Sequence, residues 1–103
     1  MTDVFDTSFT FRNIESTEAL RDHAIDKLEK LKKYLVKQTV NIHVIFKVEG
    51  ARHLAEITIN TRGGRFVGSD TSNDLYTSID TAVHKIESQL SRNKERIKGH
   101  KGE

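Results

Sequence analysis

Cysteine is absent from the sequence, and its absence excludes disulfide bonds and thiolate metal sites. No apolar run approaches the ~20 residues that a membrane-spanning helix requires, and the N-terminus lacks the basic-then-apolar pattern of a signal peptide. Proline and tryptophan are absent as well. We therefore predict a cytoplasmic protein that does not associate with a membrane.

The sequence also lacks the motifs of common enzyme classes. Gly63-Gly64 is not followed by the Lys-Ser/Thr of a phosphate-binding loop, and no G-x-S-x-G elbow occurs. The histidines form neither an HxxxH nor an HxH pair; they are His23, His43, His53, His84 and His100. His43 and Glu56 are interpreted as a polar pair on a solvated sheet face. The prediction is a protein that is not an enzyme and uses no metal, cofactor or small-molecule substrate.

Length and composition indicate one soluble domain with a charged surface. The chain has 103 residues, of which 35% are hydrophobic and 31% are charged. Its formal net charge is only +2, but two segments, KLEKLKKYLVK and RNKERIKGHKGE, are locally basic. A basic surface on a nearly neutral protein favours a defined docking site over general stickiness.

The clearest single element is a long amphipathic helix predicted over Asp74 to Lys98. Its apolar residues recur at helical spacing; they are Leu75, Ile79, Ala82, Ile86, Leu90 and Ile97. A basic stripe of Lys85, Arg92 and Arg96, with Gln89 between, runs beside them. Thr71 or Ser72 is expected to cap the helix, and Gly99 to end it.

The preceding segments predict an α+β fold of order β-α-β-β-β-α. The expected elements are a strand over 4–12, a helix from the cap Thr17 to about Val36, a strand over Thr39 to Val48, a strand through Ala55, Ile57, Ile59 and Thr61, and a short edge strand over Arg65 to Ser69. Gly63-Gly64 is the expected two-residue loop of a hairpin. These elements predict a four-stranded, antiparallel-rich sheet with both helices packed on one face.

Cations line one edge of each predicted helix. The first helix carries Lys27, Lys30, Lys33 and Lys37, and the second carries the Lys85, Arg92 and Arg96 stripe. Such residues usually keep a protein soluble, but helices packed side by side would join the two edges into a phosphate-binding patch. Few aromatic residues remain for base stacking, which favours recognition of structured RNA. RNA binding and protein binding both remain open from these residues.

Three segments make the chain similar to a known family. They are RNIESTEALRDHAIDKLEKLKKY at 12–34, HLAEITI at 53–59 and DLYTSIDTAVHKIESQL at 74–90. In these segments the chain resembles the ribosome hibernation promoting factor and ribosome-associated inhibitor (RaiA) family, in its short form. The resemblance implies a fold akin to the double-stranded RNA-binding domain.

The resemblance also implies a function and a set of contacts. Family members bind the small ribosomal subunit at the decoding region, over the A and P sites and the mRNA channel, and inhibit translation under stress or in stationary phase. The implied contacts with ribosomal RNA are Arg12, Lys27, Lys30, Lys85, Arg92, Lys94 and Arg96. Ser88 departs from the pattern, since the family usually carries arginine there.

Set against this resemblance, we expect neither the acidic tail of a RaiA-type member nor the second domain of long hibernation factors. We expect residues 1–103 to form a single ribosome-binding domain with a short basic tail from about residue 99. We also expect the protein to be monomeric when free and to bind ribosomes without pairing them. The alternatives are a module that binds another double-stranded RNA and an interaction module that modulates a sigma factor.

Overall fold

The computed structural model describes residues 4–36 and 38–102, with the side chains of residues 5–36 and 38–92. The elements are β1 (Val4–Arg12), α1 (Glu18–Leu28), a 3₁₀ helix (Glu29–Tyr34), β2 (Thr39–Glu49), β3 (Arg52–Thr61), β4 (Gly64–Ser72) and α2 (Leu75–Gly102). This order confirms the predicted β-α-β-β-β-α arrangement.

The four strands form one sheet in the order β1-β2-β3-β4. β1 and β2 are parallel because the chain crosses over through α1, and Phe5 lies beside Val40 in their register. The β2–β3 and β3–β4 pairs are antiparallel hairpins. The antiparallel-rich sheet of the prediction is therefore confirmed, and β4 is an edge strand as expected.

One hydrophobic core joins the inward face of the sheet to both helices. The strands contribute alternate residues, such as Val40, Ile42, Val44 and Phe46 of β2, all at most 2% exposed. The apolar stripe of α2 is buried as predicted from Leu75 to Leu90; Ile97 lies outside the described side chains. The opposite face of the sheet has no helix of its own within the described ranges.

Helix ends differ from the predictions in three places, the first of them at the end of α1. Thr17 caps α1 as expected, because its hydroxyl accepts a hydrogen bond from the Leu20 N–H at 3.1 Å. The α-helix stops at Leu28, however, and tightens into the 3₁₀ helix, so a regular helix to Val36 is wrong. A 3₁₀ turn repeats every three residues, and this keeps Leu28 and Leu31 on the same buried side.

The cap of α2 is Asp74, not Thr71 or Ser72. Its carboxylate accepts hydrogen bonds from the Tyr76 N–H at 3.2 Å and from the Thr77 hydroxyl at 3.0 Å. The Thr77 hydroxyl and backbone hydrogen bonds hold the pKa of Asp74 below its ordinary value. At the other end α2 continues through Gly99 to Gly102, so the predicted stop is wrong. A glycine weakens a helix interior but does not by itself end it.

The β3–β4 hairpin is shifted by one residue from the prediction. Thr61 pairs with Gly64, so the two-residue loop is Arg62-Gly63, and β4 is longer than expected. The Thr61 side chain stabilises the loop by accepting from the Gly63 N–H at 3.0 Å and donating to the Gly64 carbonyl at 2.9 Å. Gly64 has a φ of 142°, which a larger residue rarely adopts.

A close approach at Gly68 sets the position of α2 on the sheet. A Cβ atom at this residue would lie 2.6 Å from the Ala82 carbonyl oxygen and 2.9 Å from Ile86 Cγ1. Only glycine therefore allows β4 to touch the helix backbone. With α2 held over β4, its opposite flank faces α1.

Candidate nucleic-acid interface

A groove runs between α1 and α2, and side chains bridge it at both ends. His23 Nε2 of α1 lies 2.8 Å from Asp80 Oδ1 of α2, and the His23 ring contacts the Tyr76 ring edge-on. At the other end the Tyr34 hydroxyl donates to Glu87 Oε2 at 3.4 Å. Both acidic residues of α2 that border the groove are thus hydrogen-bonded by α1 or the 3₁₀ helix.

The first of two adjoining hollows in this groove is lined by one cation of α1 and one of the 3₁₀ helix. Its lining residues are Lys27, Lys30, Asp80, Val83, His84 and Glu87. Lys27 is half-buried and Lys30 is exposed. Because they are three residues apart on a helix, their side chains lie on the same edge. The structure therefore places Lys27 and Lys30, the two RNA contacts predicted for the first helix, at one wall of the groove.

The second hollow carries an arginine. It is lined by Tyr34, His84, Glu87, Ser88, Ser91 and Arg92. Arg92 is exposed, and its planar guanidinium can bind a phosphate with two parallel hydrogen bonds. His84, Ser88 and Arg92 follow one another at four-residue intervals, so they form a ridge along the outward face of α2.

Lys85 lies on the far flank of α2, away from α1. Its ammonium group donates to the Ser69 carbonyl of β4 at 2.8 Å, and the Gln89 amide donates to the Val67 carbonyl at 2.8 Å. Lys85 therefore does not face Lys27 and Lys30 across the groove, whereas Arg92 of the same predicted stripe lines it. Gly68 holds this flank of α2 against β4, and the ridge of His84, Ser88 and Arg92 separates Lys85 from Lys27.

The remaining predicted contacts are not gathered at the groove. Arg12 is exposed at the end of β1, beside Lys47 in the parallel register, whereas the groove lies on the helix side of the sheet. Lys94 and Arg96 follow Arg92 on α2, but their side chains lie outside the described ones. Lys37 is also outside the described residues.

On the open face of the sheet, His43 is hydrogen-bonded to side chains of the neighbouring strand. Both ring nitrogens of His43 form hydrogen bonds with hydroxyl groups of β1. Nδ1 lies 2.8 Å from the Ser8 hydroxyl, and Nε2 lies 2.9 Å from the Thr10 hydroxyl. In the β2–β3 register His43 lies opposite Thr58, and Glu56 lies opposite Ile45. His43 and Glu56 are thus diagonal neighbours, and sequence reasoning missed the two hydroxyl partners.

The described part of the chain offers neither a metal site nor a membrane-spanning helix. Among those residues, no group of three or more histidine and acidic side chains is placed to hold a metal ion. Within the same ranges, neither α1 nor α2 combines the length and apolar character that a membrane crossing requires.

The fold is shared with known proteins. The chain belongs to the family described as Sigma 54 modulation protein / S30EA ribosomal protein, which matches residues 7–98. It is 34% identical over 93 residues to the ribosome hibernation promoting factor of Salmonella typhimurium, and the match covers 90% of this chain and 97% of that protein.

Two solved structures are similar as well. The N-terminal domain of Thermus thermophilus Protein Y has a TM-score of 0.77 and 31% identity, and the match covers 84% of this chain and 97% of that one. A ribosomal subunit interface protein from Coxiella burnetii has a TM-score of 0.76 and 25% identity, with 87% and 98% covered. The expected family is therefore confirmed, while the likeness to the double-stranded RNA-binding domain stays a prediction.

Proposed function

We propose that this protein binds the small ribosomal subunit through the groove and the outward face of α2, and thereby keeps ribosomes inactive. The relative from Salmonella typhimurium is named a ribosome hibernation promoting factor, and the protein from Coxiella burnetii a ribosomal subunit interface protein. We further propose that the bound protein covers the decoding region, including the A and P sites and the mRNA channel, in the cytoplasm of stressed or stationary-phase cells.

The observation that carries this proposal is the arrangement of charges at the groove. Lys27 and Lys30 stand on one wall and Arg92 on the other, while Asp80 and Glu87 are hydrogen-bonded to His23 and Tyr34. The three cations outnumber the two carboxylates among these lining residues, so the groove keeps a net positive charge. The exposed cations can then contact phosphates of ribosomal RNA.

The other cations extend this contact surface. Lys85 is exposed and spends one of its three donors on the Ser69 carbonyl, which leaves two for phosphate oxygens. We assign further phosphate contacts to Lys94 and Arg96, and a peripheral one to Arg12. Binding of this kind requires no catalysis and no cofactor, and it suits a protein that is monomeric when free.

A double charge reversal tests the proposal. In sucrose gradients with purified small ribosomal subunits, the wild-type protein should sediment with the subunit and the Lys27→Glu/Lys30→Glu variant should not. The matched control is Arg62→Glu/Arg65→Glu, which makes the same change in charge at two exposed residues outside the groove. The control should co-sediment like wild type. Equal co-sedimentation of all three proteins would show that the groove is not the binding surface.

The family description also names modulation of sigma 54, which makes protein binding a second candidate. The open sheet face would serve it, since Val67 there is 41% exposed. Salt distinguishes the two modes of binding. Phosphate contacts predict that the logarithm of affinity falls with the logarithm of salt by about 0.7 to 0.9 per phosphate neutralised, whereas an apolar protein interface predicts almost no slope.

A further inference from the structure

His84 borders both hollows of the groove, as its neighbour Glu87 does. Lys27 and Lys30 lie on one side of it, and Arg92 lies on the other. Its side chain is exposed. Within the described residues its ring makes no hydrogen bond, whereas the rings of His23, His43 and His53 each contact a partner.

The charged groups around His84 come from three elements. α1 contributes Lys27, the 3₁₀ helix contributes Lys30 and Tyr34, and α2 contributes Asp80, Glu87 and Arg92. The two carboxylates are hydrogen-bonded to His23 and Tyr34. In the free protein, His84 is therefore surrounded by cations and by two carboxylates that already have hydrogen-bond partners.

A phosphate in this groove would change the balance at the imidazole ring. A nearby anion favours the charged form of histidine, and the imidazolium can donate an N–H to a phosphate oxygen. Histidine is also the side chain that changes charge between about pH 5 and 8. The complex would then hold more protons than the free protein, so binding would strengthen as pH falls.

We propose that His84 is a phosphate-binding residue that, when protonated, joins the cations Lys27 and Lys30 to Arg92, and that it makes the affinity for ribosomal RNA increase as pH falls. This inference rests on the proposed function, since the phosphates are those of the ribosomal RNA. It adds a pH-dependent contact on the ridge where the next position, Ser88, has no charge.

The test compares affinities for purified small ribosomal subunits at constant salt between about pH 8 and about pH 5.5, the range in which imidazole titrates. Wild-type protein should bind about three- to fivefold more tightly at the acidic end, the effect of one exposed ion pair. His84→Gln should bind at all pH values as wild type does at about pH 8. His84→Arg should bind throughout as wild type does at the acidic end.

Two other histidine variants are the controls. His43→Gln, on the open sheet face, and His53→Gln, near the start of β3, should both keep the wild-type pH dependence, because neither residue lines the groove. An unchanged pH dependence in His84→Gln, or its loss in His43→Gln or His53→Gln alone, would overturn this inference while leaving the proposed function intact. Failure of the wild-type protein to bind at any pH would overturn both.

Discussion

Gly68 of β4 and Ala82 of α2 approach each other so closely that a Cβ on the glycine would lie 2.6 Å from the Ala82 carbonyl oxygen. Backbone carbonyls cannot move aside as a side chain can. This contact fixes the helix over the edge strand and brings Lys85 to the Ser69 carbonyl. It thereby determines which flank of α2 remains available to form the groove with α1.

Gly68→Ala should destabilise the fold. The extra methyl group must push β4 away from α2, and overpacking of this kind costs about 1–3 kcal/mol in the free energy of unfolding. Gly63→Ala is the matched control, since the nearest atom to its added Cβ would be 3.8 Å away. Urea unfolding should show a lower midpoint for Gly68→Ala and a much smaller change for Gly63→Ala. Equal midpoints would refute the close approach.

Ile86 lies in the core beside Gly68, and a charge there should prevent folding. Its side chain is 0% exposed, so Ile86→Asp would bury a carboxylate with no partner. We expect loss of the cooperative unfolding transition, measured by circular dichroism. Arg92→Asp is the control on the same helix, and because Arg92 is exposed it should cost no more than about 0.5 kcal/mol. A cooperative transition in Ile86→Asp at the wild-type temperature would contradict the described core.

The lowered pKa of Asp74 predicts a pH dependence of stability. A carboxylate whose folded pKa lies below its unfolded value adds stability above about pH 4, and this part is lost as pH falls through the folded pKa. Asp74→Asn can still cap α2 but cannot titrate. The free energies of unfolding of wild type and Asp74→Asn should therefore differ most near neutral pH and converge in acid. A difference that stays constant with pH would argue against the hydrogen bond from Thr77 as the cause.

Substitution of Ser88 by arginine should increase the affinity for the small ribosomal subunit. Ser88 stands between His84 and Arg92 on the outward ridge of α2, at the position where the family resemblance implies an arginine. Ser88→Arg should tighten binding to small ribosomal subunits and steepen the salt dependence by about 0.7 to 0.9 in the log–log slope, the effect of one more phosphate contact. Asn60→Arg on the open sheet face adds the same charge and should leave that slope unchanged. If both variants steepen the salt dependence equally, the cause is the added charge of the protein as a whole and not a contact at the ridge.

Much of the fold could be predicted because hydrophobic periodicity is a local property of the sequence. The alternation from Val40 to Phe46 marks β2, and the helical spacing from Leu75 to Leu90 marks the buried stripe of α2. The order of the elements along the chain followed from these segments, whereas the parallel pairing of β1 with β2 was seen only in the structure. The cap at Thr17 was readable because a side-chain acceptor precedes an apolar run.

Other features depend on contacts that no local pattern encodes. The role of Gly68 requires knowing that α2 crosses β4 at that residue, and the sequence around it offers no periodic signal. The partner of Lys85 is a backbone carbonyl 16 residues away in sequence, so its direction could not be predicted. Several residues near Asp74 could cap α2 equally well by type, and only the three-dimensional path of the chain selects one.

The most direct test of the central claim is whether the bound protein covers the decoding region. Labelled tRNA binding to the P site of purified small ribosomal subunits, programmed with mRNA, can be titrated with wild-type protein and with Lys27→Glu/Lys30→Glu. The account predicts that wild-type protein displaces the tRNA competitively and that the variant does not. A subunit that holds the wild-type protein and tRNA at the same time, with unchanged affinity for either, would contradict the account.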